Sequence, residues 1–358
     1  MNSELIEKLT TTSDSSVVDN MKKIDKNVKG ILFVLNESQQ LIGSVTDGDI
    51  RRWLIKTGKL DAIVTNYMNT APKYLFDGNR NIAQEIMKKN EIKAIPIVDT
   101  DRRVIDVIFA DEMVSHKIQA DKTLKDISVI IMAGGKGTRL YPYTKILPKP
   151  LIPIGDIPIL ERIIDRFYDY GISKYYLTVN YKKGMIKSYF AELNPQYMVK
   201  YIEEDKPLGT AGSIKLITDK FISPVIITNC DTLIDVNFSK LMEYHVSSGN
   251  ALTIVAALKN TTIPYGVIDT KEQGIVVSMK EKPSMSYFIN TGLYVLNPEL
   301  IEKIPDEKIF HMTDLAELLM KERYQVGMYP VSEEAFLDMG EFDEMKRMEK
   351  KLNLDDKK

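Results

Sequence analysis

Residues 132–151 read Met-Ala-Gly-Gly-Lys-Gly-Thr-Arg-Leu-Tyr-Pro-Tyr-Thr-Lys-Ile-Leu-Pro-Lys-Pro-Leu. The apolar run at 129–133 predicts a buried strand that leads into this glycine-rich loop. Glycines let backbone N–H groups approach phosphate oxygens closely. Arg139 and Lys149 add full positive charge. The loop therefore predicts a phosphate site, with candidate binding residues Ala133, Gly134, Gly135, Gly137 and Thr138.

Two common phosphate-binding loops do not fit this stretch. A Walker A loop needs Gly-Lys followed directly by Ser or Thr, and no such triplet stands at the required spacing. The dinucleotide fingerprint needs a third glycine at position 140, where Leu140 stands. The sequence therefore favours a different class of nucleotide-binding protein.

The composition sets the broad class. Of 358 residues, 44% are hydrophobic and 27% are charged, which is typical of a globular protein with more than one core. The net charge of −2 gives no general attraction to nucleic acid or to an anionic membrane. The single cysteine, Cys230, fits a reducing compartment, and residues 1–9 lack the apolar segment of a signal peptide. We expect a cytoplasmic protein that binds neither nucleic acid nor a membrane.

From residue 127 onward, strand-like apolar runs alternate with helical stretches. The predicted strands 129–133, 174–179, 198–202 and 225–228 alternate with the predicted helices 159–170, 183–190 and 213–218. The later part is richer in strands, at 251–258, 266–269, 275–279 and 293–296, and a helix is predicted from 341 onward. This order predicts an α/β domain over 127–358 with a Rossmann-like mixed sheet.

The first 125 residues contain two copies of one pattern. Each copy has a helix, a buried strand, a polar turn, a second strand and acidic residues that open a helical stretch. The predicted elements are 16–24, 30–35, 41–46 and 50–56 in the first copy, and 81–90, 94–98, 104–109 and 111–113 in the second. This arrangement predicts a small α+β domain over 1–122.

That pattern resembles a CBS-domain pair, a regulatory module that binds adenine nucleotides. The family's Gly-x-x-Thr-x-x-Asp element is matched in the first copy by Gly43, Thr46 and Asp49. The resemblance implies an adenine or guanine nucleotide there, held by Thr46 and Asp49. The same two residues would also serve as an ordinary helix cap. In the second copy Asp106, Phe109 and Glu112 stand at these positions, which argues against a second nucleotide site.

Residues 134–150 resemble the Gly-Gly-x-Gly-Thr-Arg-Leu-x-Pro-x-Thr signature, followed by Pro-Lys-Pro, of sugar-phosphate nucleotidylyltransferases. Further elements of that family follow in order. They are the stretch from Glu204 to Gly212, Asn229-Cys230-Asp231, Tyr265-Gly266, Glu281-Lys282-Pro283, Asn290-Thr291-Gly292-Leu293-Tyr294 and Asp338-Met339-Gly340. The last element departs from the pattern, because Phe336 stands where Trp is usual.

The resemblance implies a role for each matched position. Arg139, Lys149, Asp231 and Lys282 would be catalytic, and Asp231 and Asp338 would bind Mg²⁺, which prefers carboxylates and phosphates. Glu204, Gly209 and Thr210 would contact the nucleotide, and the sugar phosphate would be bound by Gly266, Glu281, Lys282, Asn290 and Thr291. The substrates would be a nucleoside triphosphate and a hexose or hexosamine 1-phosphate.

The acid at position 204 bears on the choice of base. A carboxylate accepts two hydrogen bonds, which matches the N1–H and 2-amino donors of guanine, whereas uracil and thymine suit an amide. This favours GTP. The CBS-like module fused ahead of the domain also resembles guanylyltransferases of surface-glycan synthesis, including the glucosamine 1-phosphate guanylyltransferases of legionaminic acid synthesis. UTP or TTP with a glucose-type phosphate stays open.

Two other classes of function compete. One is a nucleotide-sensing protein with an inactive transferase domain, which the intact charged positions of the signature disfavour. The other is transfer to an acceptor such as phosphocholine or a molybdopterin, which the sugar-side elements disfavour. Because CBS pairs often associate face to face, the resemblance also implies a homo-oligomer.

Overall fold

The computed structural model describes residues 3–27, 29–90, 92–110, 122–340 and 342–351. The helices are α1 (Ser3–Leu9), α2 (Val17–Asn27), α3 (Asp47–Thr57), α4 (Ala83–Asn90), α5 (Tyr143–Ile146), α6 (Ile159–Tyr168), α7 (Lys183–Leu193), α8 (Gly209–Gly212), α9 (Phe238–Ser247), α10 (Met312–Lys321) and α11 (Phe342–Lys351). The strands are β1 (Thr10–Thr12), β2 (Ile31–Leu35), β3 (Leu41–Thr46), β4 (Leu75–Phe76), β5 (Ala94–Val98), β6 (Val104–Phe109), β7 (Ser128–Ala133), β8 (Pro153–Ile154), β9 (Ile157–Pro158), β10 (Lys174–Val179), β11 (Met198–Glu203), β12 (Val225–Asn229), β13 (Thr232–Ile234), β14 (Leu252–Thr262), β15 (Val267–Thr270), β16 (Val276–Lys280), β17 (Ser284–Leu296), β18 (Val326–Val331) and β19 (Phe336–Asp338).

The chain divides into two compact units. One contains Met1–Gln119 and Leu258–Tyr287, and the other contains Ala120–Ala257 and Phe288–Lys358. The domain boundary that the sequence predicts, at 122–127, stays a prediction. The grouping of 258–287 with the N-terminal residues has no counterpart in the sequence prediction.

The N-terminal part of the first unit is a structural duplication. In one half β1 pairs parallel with β2, and β2 pairs antiparallel with β3. The other half repeats this arrangement with β4, β5 and β6. The two halves share one apolar core, in which Phe33 and Leu41 pack with Val98 and Val104. Neither half could bury its apolar face alone, which is the physical reason for the duplication.

The second unit is built on a seven-stranded mixed sheet with the order β11-β10-β7-β12-β17-β14-β18. Strands β11, β10, β7 and β12 run parallel, whereas β17 is antiparallel to β12. Strand β7 lies inside the sheet and is buried along its whole length. Alternate residues of β7 contact different cores: Val129 and Ile131 pack with Ile163 of α6, whereas Ile130 and Met132 pack with Leu315 of α10. Burial on both faces explains why the sequence of β7 is continuously apolar.

These observations confirm the predicted fold class. The predicted helix at 159–170 ends two residues earlier, at Tyr168, because Gly171 takes a left-handed conformation with φ +84° and turns the chain toward β10. Helices α9 and α10 were not predicted. The predicted element at 111–113 lies outside the described residues. Within the described residues, no helix combines the length and the apolar character needed to cross a membrane.

Candidate active site

A cavity of about 380 Å³ opens at the carboxyl ends of the parallel strands of the second unit. Ligands of open α/β sheets bind at this edge. The lining residues come from the ends of β7, β10, β11 and β12 and the loops that follow them: Met132, Gly134, Gly135, Gly137, Thr138, Arg139, Lys149, Thr178, Glu204, Pro207, Gly209, Thr210, Asn229, Cys230 and Asp231.

Two glycines of the loop are required by close packing. A Cβ on Gly134 would lie 2.7 Å from Oε1 of Glu204. A Cβ on Gly137 would lie 3.0 Å from side-chain carbons of Thr144 and Lys149, and its φ of +64° also favours glycine. Ala133, the last residue of β7, is fully buried and supports the loop from within the sheet.

Glu204 lies directly after β11 and its side chain is buried, with only 5% of the residue exposed. Its carboxylate accepts a hydrogen bond from the Leu208 amide at 3.2 Å. Burial raises the pKa of Glu204, and the hydrogen bond from the Leu208 amide partly offsets that rise. The structure thus places a hydrogen-bond acceptor beside the glycine-rich loop, in a largely buried position.

The turn at Gly209 and Thr210 is held by a distant segment. Gly209 has φ +81°, and a Cβ there would lie 2.6 Å from the Phe310 carbonyl oxygen. That carbonyl accepts the amides of Ala211 and Gly212 at 2.9 and 3.0 Å. The Thr210 hydroxyl accepts the Met312 amide at 3.0 Å. Residues 310–312 carry no local sequence signal for this role, because their contribution depends on contacts between segments far apart in the chain.

Lys149 and Asp231 form an ion pair at the cavity wall. Their side chains are only 10% and 14% exposed. Removing one partner of such a pair leaves an uncompensated charge in a poorly solvated place. The pairing brings together two residues that the sequence analysis had selected separately.

Asp231 and Asp338 are joined by the antiparallel pair of β13 and β19, in which Thr232 lies opposite Asp338. The Met339 amide also donates to the Asp231 carbonyl at 2.8 Å. Burial raises the pKa of Asp338, and the neighbouring Asp231 carboxylate raises it further. A Cβ on Gly340 would lie 3.1 Å from both Nη1 of Arg139 and Oδ2 of Asp338, so this glycine lets both groups approach.

These carboxylates fit a hard divalent cation. Oδ1 of Asp338 is buried and has no hydrogen-bond partner among the described residues. The described residues contain no cluster of three or more His, Cys, Asp and Glu side chains that could hold a metal. Two carboxylates with remaining coordination open to phosphates and water suit Mg²⁺, which seldom occupies an all-protein cage.

Cys230 also lines the cavity but is not suited to nucleophilic chemistry. It is 7% exposed, and burial raises the pKa of its thiol to about 12, with a smaller contribution from Asp231. A thiol with so high a pKa stays protonated near neutral pH. Cys230 therefore acts as a small buried residue.

The Asn290–Tyr294 element packs beside the cavity at Gly292 and inside the sheet at Thr291. Gly292 has φ +81°, and a Cβ there would collide with the side-chain amide of Asn229, which lines the cavity. Thr291 is 1% exposed, and its hydroxyl donates to the Val255 carbonyl at 2.8 Å inside the sheet. The exposed Asn290 donates to the Tyr294 hydroxyl at 2.7 Å.

The other predicted sugar-side residues lie in the 258–287 segment of the first unit. Gly266 precedes β15 and Glu281 follows β16, and these strands form an antiparallel hairpin. A Cβ on Gly266 would lie 3.1 Å from Oε2 of Glu281, so the two predicted residues are neighbours. Lys282 is exposed and has φ +44°.

These features agree with the families that the chain matches. The model described as "Nucleotidyl transferase" matches residues 128–353, more than half of the chain. The chain belongs to the nucleotidyl transferase family. A CBS domain model matches residues 1–56, so the N-terminal resemblance is also confirmed for the first copy.

Named relatives of this nucleotidyl transferase include several fungal proteins. The mannose-1-phosphate guanyltransferase of Debaryomyces hansenii is 35% identical over 184 residues, which cover 49% of this chain and 51% of that protein. Mannose-1-phosphate guanyltransferase 2 of Candida glabrata is 33% identical over 222 residues, 59% of this chain and 61% of that protein. The chain thus spans about half the length of the first of these relatives. Among solved structures, HddC from Yersinia pseudotuberculosis is 28% identical with a TM-score of 0.49, and the match covers 63% of this chain and 99% of HddC.

In the CBS-like half, Thr46 and Asp49 form a complete helix cap. The Thr46 hydroxyl accepts the Asp49 amide at 3.2 Å, and the Asp49 carboxylate accepts the Thr46 amide at 2.9 Å. Asp49 also pairs with Arg52. The capping role considered in the sequence analysis is therefore present, and a nucleotide role for these residues stays a prediction.

The second copy differs from the first at the corresponding positions. Asp106 forms an ion pair with Arg80 at 2.5 Å, and Phe109 is 2% exposed in the shared core. Glu112 lies outside the described residues. An ion pair and a buried ring thus stand where the first copy has Gly43 and Thr46.

Proposed function

We propose that this nucleotidyl transferase joins GTP to a hexose or hexosamine 1-phosphate and releases pyrophosphate and a GDP-sugar. The observation that carries the proposal is that the glycine loop, the buried Glu204 carboxylate and the Lys149–Asp231 pair line one cavity. The loop is suited to binding the phosphates, Glu204 to binding the base, and the charged pair to the reacting centre.

The reaction is an in-line displacement. An oxygen of the sugar 1-phosphate attacks the α-phosphorus of GTP and forms a new P–O bond. The bond between the α-phosphorus and the α,β-bridging oxygen breaks, and pyrophosphate leaves with that oxygen. The attacking phosphate is already ionised near neutral pH, so no general base is needed. The protein's task is to position the reactants and to neutralise charge.

The basic residues divide this task. Arg139, exposed at the end of the loop, is suited to the triphosphate, and Lys149 at the cavity wall is suited to the α-phosphoryl group. The family resemblance alone assigns Lys282 to the sugar phosphate, together with Gly266, Glu281, Asn290 and Thr291. When bound by Asp231 and Asp338, Mg²⁺ would neutralise the phosphate oxygens.

Glu204 supports GTP as the nucleotide. A buried carboxylate that accepts one backbone amide still offers lone pairs for two further donors. Guanine presents such a pair of donors, and uracil and thymine do not. The names of the fungal relatives, all guanyltransferases, point the same way.

Two sugars are candidates. Glucosamine 1-phosphate is favoured by the fused CBS-like module, which resembles that of the legionaminic-acid guanylyltransferases. Mannose 1-phosphate is favoured by the names of the relatives, which match only about half of this chain. A nucleotide held by Thr46 and Asp49 would regulate the enzyme, and the same module would join copies into a homo-oligomer.

The test is pyrophosphate release with Mg²⁺ for GTP, UTP, TTP, CTP and ATP, each with glucosamine, mannose and glucose 1-phosphates. We expect release with GTP and one hexose or hexosamine 1-phosphate. Release only with UTP or TTP would keep the enzyme class and overturn the base assignment. Release with no pair would favour the sensor function or a non-sugar acceptor.

A further inference from the structure

The turn Asn180-Tyr181-Lys182 follows β10 and lies outside every element of the transferase signature. Its three side chains are partly buried, and they contact two separate segments: Glu204, which lines the cavity, and residues 144–146, which follow the glycine loop. Lys182 has φ +52°, in the left-handed region that a non-glycine residue seldom adopts. Such a conformation at a non-glycine position persists only where surrounding contacts hold it.

Asn180 reaches the wall that carries the predicted base acceptor. Its side-chain amide donates to the Glu204 carbonyl at 2.8 Å. The Glu204 amide in turn donates to the carbonyl of Val179, the residue before the turn, at 3.0 Å. Glu204 is therefore tied to the end of β10 through both its N–H and its C=O group.

Tyr181 and Lys182 contact residues 144–146, the segment that follows the glycine loop. The Tyr181 hydroxyl donates to the Thr144 carbonyl at 3.0 Å. The Lys182 ammonium donates to the carbonyls of Lys145 and Ile146, at 2.5 and 2.7 Å, at the end of α5. A cation at a helix C-terminus satisfies carbonyls that lack an intrahelical partner.

The segment held by these residues contacts the phosphate loop directly. The Thr144 side chain is fully buried, and its hydroxyl donates to the Gly137 carbonyl at 2.9 Å. Its methyl group also occupies the space beside Gly137. A shift of α5 would therefore shift the glycine loop that lines the cavity.

We propose that Asn180, Tyr181 and Lys182 are positioning residues, which fix the spacing between the phosphate loop and the base-binding wall of the cavity. A triphosphate that binds both walls then meets a site whose spacing is already set. The inference rests on the proposed function, because it gives the turn a purpose in nucleotide binding. No residue of the turn need contact the substrate.

The test compares Lys182→Met with Lys182→Arg, Tyr181→Phe and the control Lys183→Met. Lys183 is the next residue and pairs with Glu203 at 2.6 Å on the surface. Misplacing reacting groups by about 1 Å costs up to about a hundredfold in rate. We expect kcat/KM for GTP to fall about tenfold or more in Lys182→Met, through a higher KM for GTP, with an unchanged KM for the sugar phosphate. Lys182→Arg should recover most of the loss, Tyr181→Phe should show a smaller loss of the same kind, and Lys183→Met should resemble the wild type.

Hydrogen exchange of the nucleotide-free protein supplies a second readout. We expect faster amide exchange at 134–147 in Lys182→Met and no change in Lys183→Met. Unchanged exchange, or an equal loss for both substrates without recovery by Arg, would overturn the inference. Failure of the proposed function would instead appear as absence of pyrophosphate release by the wild type, and the exchange experiment would still decide whether the turn holds the loop.

Discussion

Replacing Glu204 by Gln tests the base assignment with little change in shape. The Glu204 side chain is buried and accepts the Leu208 amide, and the oxygen of a Gln amide can accept that same N–H. We therefore expect the variant to fold. What changes is the group offered to the base: two acceptors become one acceptor and one donor.

The expected magnitude follows from the lost hydrogen bond. A hydrogen bond to a charged group contributes about 1.5–3 kcal/mol. Because 1.4 kcal/mol corresponds to about tenfold, kcat/KM for GTP should fall by about 10- to 150-fold in Glu204→Gln. The amide should at the same time improve use of UTP or TTP, whose single N–H lies between two carbonyl groups. The ratio of kcat/KM for GTP to kcat/KM for UTP should therefore change more than either value of kcat/KM alone.

The ionisation of Glu204 adds a pH signature. Burial raises the pKa of this carboxyl above its usual value of 4.5. The charged form is the one that accepts two hydrogen bonds, so kcat/KM for GTP should fall as pH decreases toward the raised pKa. This acidic limb should be absent in Glu204→Gln.

The assay is pyrophosphate release with GTP and UTP across pH, for the wild type, Glu204→Gln and the control Glu203→Gln. Glu203 is exposed and pairs with Lys183 and Lys187, so its variant should keep the wild-type preference. A Glu204→Gln enzyme that retains both its GTP preference and its acidic limb would refute the reasoning.

Three further predictions follow from the second unit. Asp231→Asn should lower kcat in steady-state pyrophosphate assays by a few hundredfold, since one preorganised charge contributes about 3 kcal/mol. The control Asp235→Asn, at a side chain that is 75% exposed, should leave kcat unchanged. Gly209→Ala should lower the free energy of unfolding in urea by about 1–3 kcal/mol and raise the KM for the triphosphate. The reasons are the φ of +81° at Gly209 and the 2.6 Å approach of a Cβ to the Phe310 carbonyl oxygen. The control Gly249→Ala, with φ +65° and no atom within 4 Å, should show the backbone strain without the clash. Burial lowers the pKa of His245 below 6.5, so the unfolded state binds more protons than the folded state at acidic pH. The free energy of unfolding should therefore decrease as pH falls below about 6.5. Urea titrations should find that this pH dependence is weaker in His245→Gln.

The three predictions on Asp231, Gly209 and His245 can each be contradicted by one result. Near-normal turnover in a folded Asp231→Asn enzyme would remove that residue from the metal site. Equal destabilisation by Gly209→Ala and Gly249→Ala would show that the carbonyl contact is unimportant. A wild-type stability that is flat between pH 7 and 5 would mean that His245 is not held neutral by burial and its contacts to Thr253 and Asn297.

Much of the fold followed from local patterns. The apolar run at 129–133 predicted the buried strand β7, and the alternation of strands and helices after it predicted an α/β domain with a mixed sheet. The duplicated strand pairs predicted the two small sheets of the N-terminal module. The turn at Gly171 and helices α9 and α10 were missed, since their positions depend on packing rather than on a strong local signal.

The sequence alone determined the family and the candidate residues, because the signature at 134–150 and the elements after it are local and occur in a set order. It could not determine which of those residues meet. The ion pair of Lys149 with Asp231 and the approach of Asp338 across β13 and β19 join positions that lie far apart along the chain. The bracing of Gly137 by Thr144, and of Thr144 by Tyr181, likewise arises only when β7 and β10 lie side by side. Tertiary structure decides such contacts because backbone carbonyls and amides, which carry no sequence signature, supply most of the partners.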